Sequence, residues 1–339
     1  MNKITNILQD ILDREIKSAK SILLTSHINP DGDGIGSELG FYYHLSDIGK
    51  ECRIINSSKL PDLYTFLDTR HVIETYKTVF DQWIKNVDLV IILDIGEIKR
   101  IGDMRKLFSP KTITICIDHH PVRHESDYSF TIVDTHEPST GSMVYHYLVN
   151  ARQSKLMPLD VAIPLYVALI TDTGSFRYSN TNSSSHEMAA RLIESGVKPH
   201  EIQRHIYESR PLVQVRLLGK VIDGIKFDFS DQFAWFIIDA KMLNDHGATP
   251  EDIEGFTDFI RSINGVEIAC MILELPDRKI RLNFRSKGIY SVNDIAEKFK
   301  GGGHPFAAGA IIDKCDIVSA EKMILYEIQH KIQGTAHVD

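Results

Sequence analysis

Residues 21–37 read SILLTSHINPDGDGIGS, and their order decides the fold. The first six, SILLTS, are a compact aliphatic run of strand length. His27 follows at once, and Asn29, Pro30, Asp31, Gly32, Asp33 and Gly34 then make a Gly-rich turn. Beyond it, residues 35–45 place Ile35, Leu39, Tyr42 and Leu45 on one helical face. A buried strand, a polar turn and an amphipathic helix in succession predict the first unit of an α/β fold.

Working outward, residues 4–19 carry Ile4, Ile7, Leu8, Ile11 and Leu12 at helical spacing. Residues 52–56 (CRIIN), 88–93 (DLVIIL), 112–117 (TITICI) and 129–133 (SFTIV) predict further strands, most of them apolar on both faces. Helices are expected over 142–151 and 159–170. This alternation predicts an α/β fold whose N-terminal parallel sheet carries helices on both faces. Residues 186–195 and 199–218 then read as helices, with Gly196 as a C-terminal cap. Strands return at 234–238, 267–274 and 279–284. The expected division is therefore 1–190, a helical connector at 191–225, and a smaller C-terminal α/β domain at 226–339, facing the first across a cleft.

A length of 339 residues fits two domains. Lys plus Arg is 38 against 46 Asp plus Glu, and that net charge of −8 excludes a general DNA-coating protein. No apolar run reaches the ~18 residues of a membrane helix, and residues 1–20 lack a signal-peptide core. Cys52, Cys116, Cys270 and Cys315 lie far apart, as expected of reduced thiols. A cytoplasmic chain is the expectation, and membrane and secreted roles fall away.

The polar residues cluster by position. His27 follows the first strand, Asp94 ends DLVIIL, Asp118, His119 and His120 end TITICI, and Asp172 closes the apolar segment LYVALIT. Loops at the carboxyl ends of parallel strands share one rim, where ligands bind. Singly, an Asp after a strand is a turn or helix cap, and PDGDG is a turn-forming sequence. Together, if Asp172 reaches the same rim, Asp31, Asp33, Asp94, Asp118 and Asp172 need a compensating cation. Imidazole and carboxylate without thiolate suit manganese, iron, zinc or magnesium, manganese first.

His27-x-x-Pro30-Asp31-x-Asp33-x-x-Gly36-Ser37, Asp94, Asp118-His119-His120 and Asp172 resemble the four successive motifs of the DHH phosphoesterases. Gly301-Gly302-Gly303-His304-Pro305-Phe306-Ala307-Ala308-Gly309 resembles the GGGHxxAAG signature of the DHH-associated C-terminal domain. The absence of added sensory or membrane segments is similar to the stand-alone nanoRNase/pAp phosphatase (NrnA-like) branch. The resemblance implies that His27, Asp31 and Asp94 hold one divalent cation. It implies that Asp33, Asp94, His119 and Asp172 hold a second, Mn2+ first, with Mg2+ or another divalent ion as alternatives. It further implies that Asp118 orients His119, that His120 faces the substrate phosphate, and that Arg285 and Ser286, Gly301, Gly302, Gly303 and His304 bind substrate. The glycine run would act as an amide nest for anions, though on its own such a run is also an ordinary loop. Arg177 resembles a position near the cleft, where a structural ion pair serves as well. Lys300 stands where many relatives have a fourth glycine, and Pro138–Ser142 departs from the commoner form with a Glu.

The implied activity is metal-dependent hydrolysis of short oligoribonucleotides to mononucleotides and of 3′-phosphoadenosine 5′-phosphate (pAp) to AMP, with Asp94, Asp118 and His120 as catalytic residues. The expected partners are short single-stranded RNA and small nucleotides, without duplex DNA or membrane; a homodimer is compatible. One rival is a phosphodiesterase acting on cyclic-di-AMP or pApA. The other is a nucleotide-binding module without turnover, whose sign would be a missing ligand, and none is missing.

Overall fold

The computed structural model describes residues 3–120 and 127–335. These fall into two compact units, Met1–Ser209 and Arg210–Asp339. The first unit runs α1 (Lys3–Ser18), β1 (Ser21–Thr25), α2 (Gly32–Asp47), β2 (Glu51–Asn56), β3 (Ile73–Thr75), α3 (Asp81–Lys85), β4 (Leu89–Leu93), a 3-10 segment (Ile98–Leu107), β5 (Ile113–Asp118), β6 (Phe130–Val133), α4 (Thr140–Ala151), α5 (Leu159–Asp172), α6 (Ser183–Glu194) and α7 (Pro199–Tyr207). Its six strands pair in parallel in the order β3-β2-β1-β4-β5-β6. The strand order reverses between β1 and β4, and the crevice beyond their carboxyl ends is where such sheets bind ligands.

Side-chain parity explains why these strands are apolar on both faces. Ile22, Leu24, Leu89, Ile91, Leu93, Ile115 and Ile117 point into a core shared with α1, α2, α4, α5 and α6. Leu23, Val90, Ile92 and Cys116 point the other way, onto Ile84 of α3 and Ile98, Ile101 and Met104 of the 3-10 segment.

The PDGDG sequence is not a free turn. Asp31 caps α2, its carboxylate accepting from the N–H groups of Asp33 and Gly34, so the helix starts at Gly32. The reason is close packing against α5. A Cβ at Gly36 would lie 2.3 Å from the Pro164 carbonyl oxygen, and one at Gly32 2.5 Å from the Thr171 side chain. That approach sets the C-terminus of α5, with Asp172, beside the N-terminus of α2, with Asp31 and Asp33.

The predicted single helix over 199–218 is broken. α7 ends at Tyr207 and α8 (Leu212–Asp223) starts after Pro211, which lacks an N–H and restricts the residue before it. The expected connector at 191–225 is thus divided, α7 lying in the first unit and α8 in the second.

The second unit continues with β7 (Lys226–Asp228), β8 (Phe233–Ile238), α9 (Ala240–His246), α10 (Phe256–Arg261), β9 (Ile268–Leu275), β10 (Lys279–Ser286), α11 (Asn293–Lys298), β11 (Gly302–His304), β12 (Ala307–Ile312) and α12 (Ile317–Thr335). Its sheet order is β11-β12-β10-β9-β8-β7, antiparallel except for β8 with β9. Ile280, Leu282 and Phe284 face α11 and α12, whereas Ala269, Met271 and Leu273 face α8 and α10. Among the described residues no helix is long and apolar enough to cross a membrane.

Candidate metal centre

His27 lies two residues beyond the end of β1 and Asp94 directly after β4, while β5 ends at Asp118 and is followed by His119 and His120. The first two straddle the point where strand order reverses. Asp94 is a non-glycine residue at φ 55°, and with Gly96 at φ 65° it turns the chain sharply off β4. The turn aims the N–H groups of Ile95 and Gly96 at the buried Asp118 Oδ2.

Two histidines lie among four carboxylates. His27 Nε2 is 3.9 Å from Asp31 Oδ2 and 3.7 Å from Asp94 Oδ2. His119 Nε2 is 3.1 Å from Asp172 Oδ2, 3.7 Å from Asp33 Oδ2 and 3.9 Å from Asp94 Oδ1. Asp94 therefore turns one oxygen to each histidine. The Nδ1 atoms face backbone carbonyls, His27 that of Ile28 at 2.8 Å and His119 that of Glu137 at 3.3 Å. Such contacts select the tautomer that offers Nε2 as a ligand.

Donor atoms of His27, Asp31 and Asp94 lie within 4.8 Å of one another, as do those of Asp33, His119 and Asp172, and of Asp94, His119 and His120. The first triplet matches the set expected for one cation, the second holds three of the four residues expected for the other, without Asp94, and Asp172 does reach the rim. Among the described residues, every ion pair of Asp31, Asp33, Asp94 and Asp172 is with a histidine. Burial, then the charges of Asp94 and Asp172, hold the Asp33 pKa well above the carboxylate range. Burial, then Asp31 and Asp94, do the same to Asp172. A crowd of hard oxygens with two imidazoles that cannot all ionise unaided is the donor set a divalent cation satisfies.

Asp118 serves a different histidine from the one expected. Its Oδ1 accepts from the backbone N–H of His120 at 2.9 Å and lies 2.8 Å from His120 Nδ1. The neighbouring ring is the one it can hold, because its other oxygen is tied to Ile95 and Gly96. Burial alone would lower the His120 pKa, but the hydrogen bonds to Asp118 and Asp94 outweigh it and push the value up to about 11. Burial also opposes ionisation of Asp94, yet the His120 hydrogen bond and three imidazole charges hold its pKa well below the usual range.

Other parts of the site escape motif reading. The N–H groups of Thr140 and Gly141, at the start of α4, donate to Asp33 at 2.7 and 2.8 Å, and Thr140 Oγ1 lies 3.4 Å from Asp94 Oδ1. The Ser139 N-cap before this helix is the sequence signal that could have found them.

The second unit treats the expected substrate residues unequally. On β10, Arg285 is half-buried, 3.3 Å from Asp258 and donating to the Phe284 carbonyl. Ser286 faces inward, and its hydroxyl accepts from the Gly288 N–H. The glycine run is no amide nest: Gly302, Gly303 and His304 pair with Gly309, Ala308 and Ala307 as an edge strand. A Cβ at Gly301 would lie 2.1 Å from the Gly309 carbonyl oxygen, so glycine is needed there for close strand approach. His304 is exposed. In the first unit, Arg177 donates to the Gly174 carbonyl at 2.7 Å.

The DHH family model for the N-terminal domain matches residues 21–169, and the DHHA1 domain model matches residues 232–333. The chain is 30% identical over 317 residues to the bifunctional oligoribonuclease and PAP phosphatase NrnA of Thermus thermophilus, covering 94% of this chain and 92% of that one. It is 29% identical to the protein of the same name from Bacillus subtilis, covering 91% and 96%. A solved exopolyphosphatase-related protein from Bacteroides fragilis superposes with a TM-score of 0.91 at 26% identity, over 98% of this chain and 99% of that one.

Proposed function

The chain belongs to the DHH family, and from that premise we propose that it hydrolyses short oligoribonucleotides to mononucleotides and pAp to AMP in the cytoplasm. The observation that carries this is the pair of donor triplets, His27, Asp31, Asp94 and Asp33, His119, Asp172, with Asp94 turned to both histidines. The names of the Thermus and Bacillus relatives favour these substrates over cyclic-di-AMP or pApA.

His27, Asp31 and Asp94 would hold one divalent cation, and Asp33, Asp94, His119 and Asp172 a second, manganese being the first choice. Bound there, the ions would supply a water of lowered pKa and positive charge toward the phosphoryl oxygens. Asp118 keeps His120 oriented and charged, and the imidazolium offsets negative charge growing on those oxygens. Asp33 is held in place by the α4 amides, so its position does not depend on the ion. Water rather than a side chain attacks phosphorus, so an acid-trapped phosphorylated residue would contradict this scheme. Arg285 and His304 contact the nucleotide. Arg285→Ala then raises KM far more than it lowers metal content, and an unchanged KM rejects that role.

The test is hydrolysis of a 5′-labelled RNA dinucleotide, pApA and pAp side by side with manganese, repeated with Asp94→Ala. Release of AMP from all three, lost in the variant, supports the reading. Turnover of the dinucleotides without pAp moves the assignment to cyclic-dinucleotide turnover. No turnover at all removes this substrate class.

A further inference from the structure

Asn180 ties together two segments that carry the centre. Its side-chain amide donates to the Asp172 carbonyl at 3.1 Å and to the Pro138 carbonyl at 3.0 Å. Two carbonyl acceptors require the NH2 group at this end, which fixes the orientation of the amide. The opposite atom, Oδ1, is buried and has no hydrogen-bond partner among the described residues.

Each bridged carbonyl sits beside a ligand. Asp172 presents its carboxylate to His119. Pro138 lies between Glu137, whose carbonyl faces His119 Nδ1, and the Thr140 and Gly141 amides that hold Asp33. Between Asp172 and residue 180 the chain passes through left-handed backbone, Gly174, Ser175 and Phe176 taking φ of 54°, 60° and 66° in succession. Left-handed backbone is unfavourable for a bulky side chain such as Phe176. A strained turn leading to an amide with both protons used and its oxygen orphaned is a costly way to stabilise a fold. It is an effective way to hold two carbonyls at a set separation.

We propose that Asn180 is a positioning residue that sets the spacing between Asp172 and the His119–Asp33 side of the centre. This rests on the metal-centre reading above. Leucine at 180 fills similar volume without donors, and alanine removes the bridge with the least steric change.

The experiment titrates Mn2+ into the metal-free full chain, following free ion by electron paramagnetic resonance, for wild type, Asn180→Leu, Asn180→Ala and Asp94→Ala. Thermal melting in EDTA is recorded alongside. The expected result is one Mn2+ bound as in wild type and a second weakened by roughly 10- to 100-fold in the Asn180 variants, with metal-free melting within about 3 °C of wild type. Should one substitution fail to fold, the other is read. Affinities within twofold of wild type overturn the proposal, as does a loss of binding that merely tracks a lowered metal-free melting temperature. A wild-type chain that binds no Mn2+ instead overturns the metal-centre reading, and this proposal with it.

Discussion

Glu38 is fully buried on α2, with Oε2 accepting from Asn56 Nδ2 at 2.8 Å and Oε1 buried without a hydrogen-bond partner among the described residues. Burial dominates its titration, the Asn56 hydrogen bond opposes, and the charge of Asp94 adds, so the pKa rises to about 8 from 4.5. The folded chain thus binds this proton more tightly than the unfolded chain. Its contribution to stability is fully present below the unfolded pKa and is lost as pH rises through 8. Between the two values the slope is about 1.4 kcal/mol per pH unit. Glu38→Gln removes the titration while keeping the shape and an oxygen for Asn56. Integrating from pH 5 to pH 8, wild type should lose roughly 3 to 4 kcal/mol relative to the variant. The assay is urea unfolding in EDTA at pH 5, 6, 7 and 8. Trp83 lies in the first unit and Trp235 in the second, so a Trp235→Phe background lets fluorescence report on the first unit alone. Asp33 and Asp172 titrate in both proteins and largely cancel in the difference. A difference that stays constant across the four pH values refutes this account of Glu38.

Three further outcomes are expected. Gly36→Ala gains about 1 kcal/mol of helix propensity but drives a Cβ into the Pro164 carbonyl and Ala168; overpacking of about 1 to 3 kcal/mol should win, lowering both the urea midpoint and Mn2+ affinity, and a more stable variant contradicts the close-packing account. Asp118→Ala removes the 2.8 Å contact to His120 Nδ1 and the acceptor of the His120 backbone N–H, leaving Asp94 Oδ1 at 3.3 Å from that ring nitrogen, so kcat should fall by about 10- to 100-fold while two Mn2+ still bind; an unchanged kcat removes Asp118 from the mechanism. At a metal concentration about 100-fold above Kd, binding stabilises by about 2.7 kcal/mol, so EDTA should lower the melting of the first unit, read from Trp83, and leave the Trp235 signal in place; equal shifts at both tryptophans count against a centre confined to the first unit.

Much of the first unit was legible because its strands are apolar on both faces and end abruptly in polar residues. SILLTS, DLVIIL and TITICI read as interior strands by their length and aliphatic content, and their ends put His27, Asp94 and Asp118 on one rim. What escaped depends on partners remote in sequence. Gly32 looks like a turn former, and Gly36 like a helix position of no special role, until α5 is seen lying against them. The glycine run looks like a loop until β12 is seen to pair with Gly302 and Gly303. Asp118 could be assigned to the site but not to His120, since that choice follows from the Ile95 and Gly96 amides fixing its other oxygen. The Asn180 bridge carries no motif of its own, and only the folded chain brings its amide to carbonyls 8 and 42 residues away.

The account stands most directly on Asp94 as the carboxylate shared between two ions. The decisive measurement is Mn2+ stoichiometry of wild type and Asp94→Ala by equilibrium dialysis with metal analysis, with AMP release from pAp followed on the same samples. The account predicts two Mn2+ per chain in wild type, at most one weakly held ion in the variant, and AMP release only from the former. A variant that keeps two ions and its turnover contradicts it.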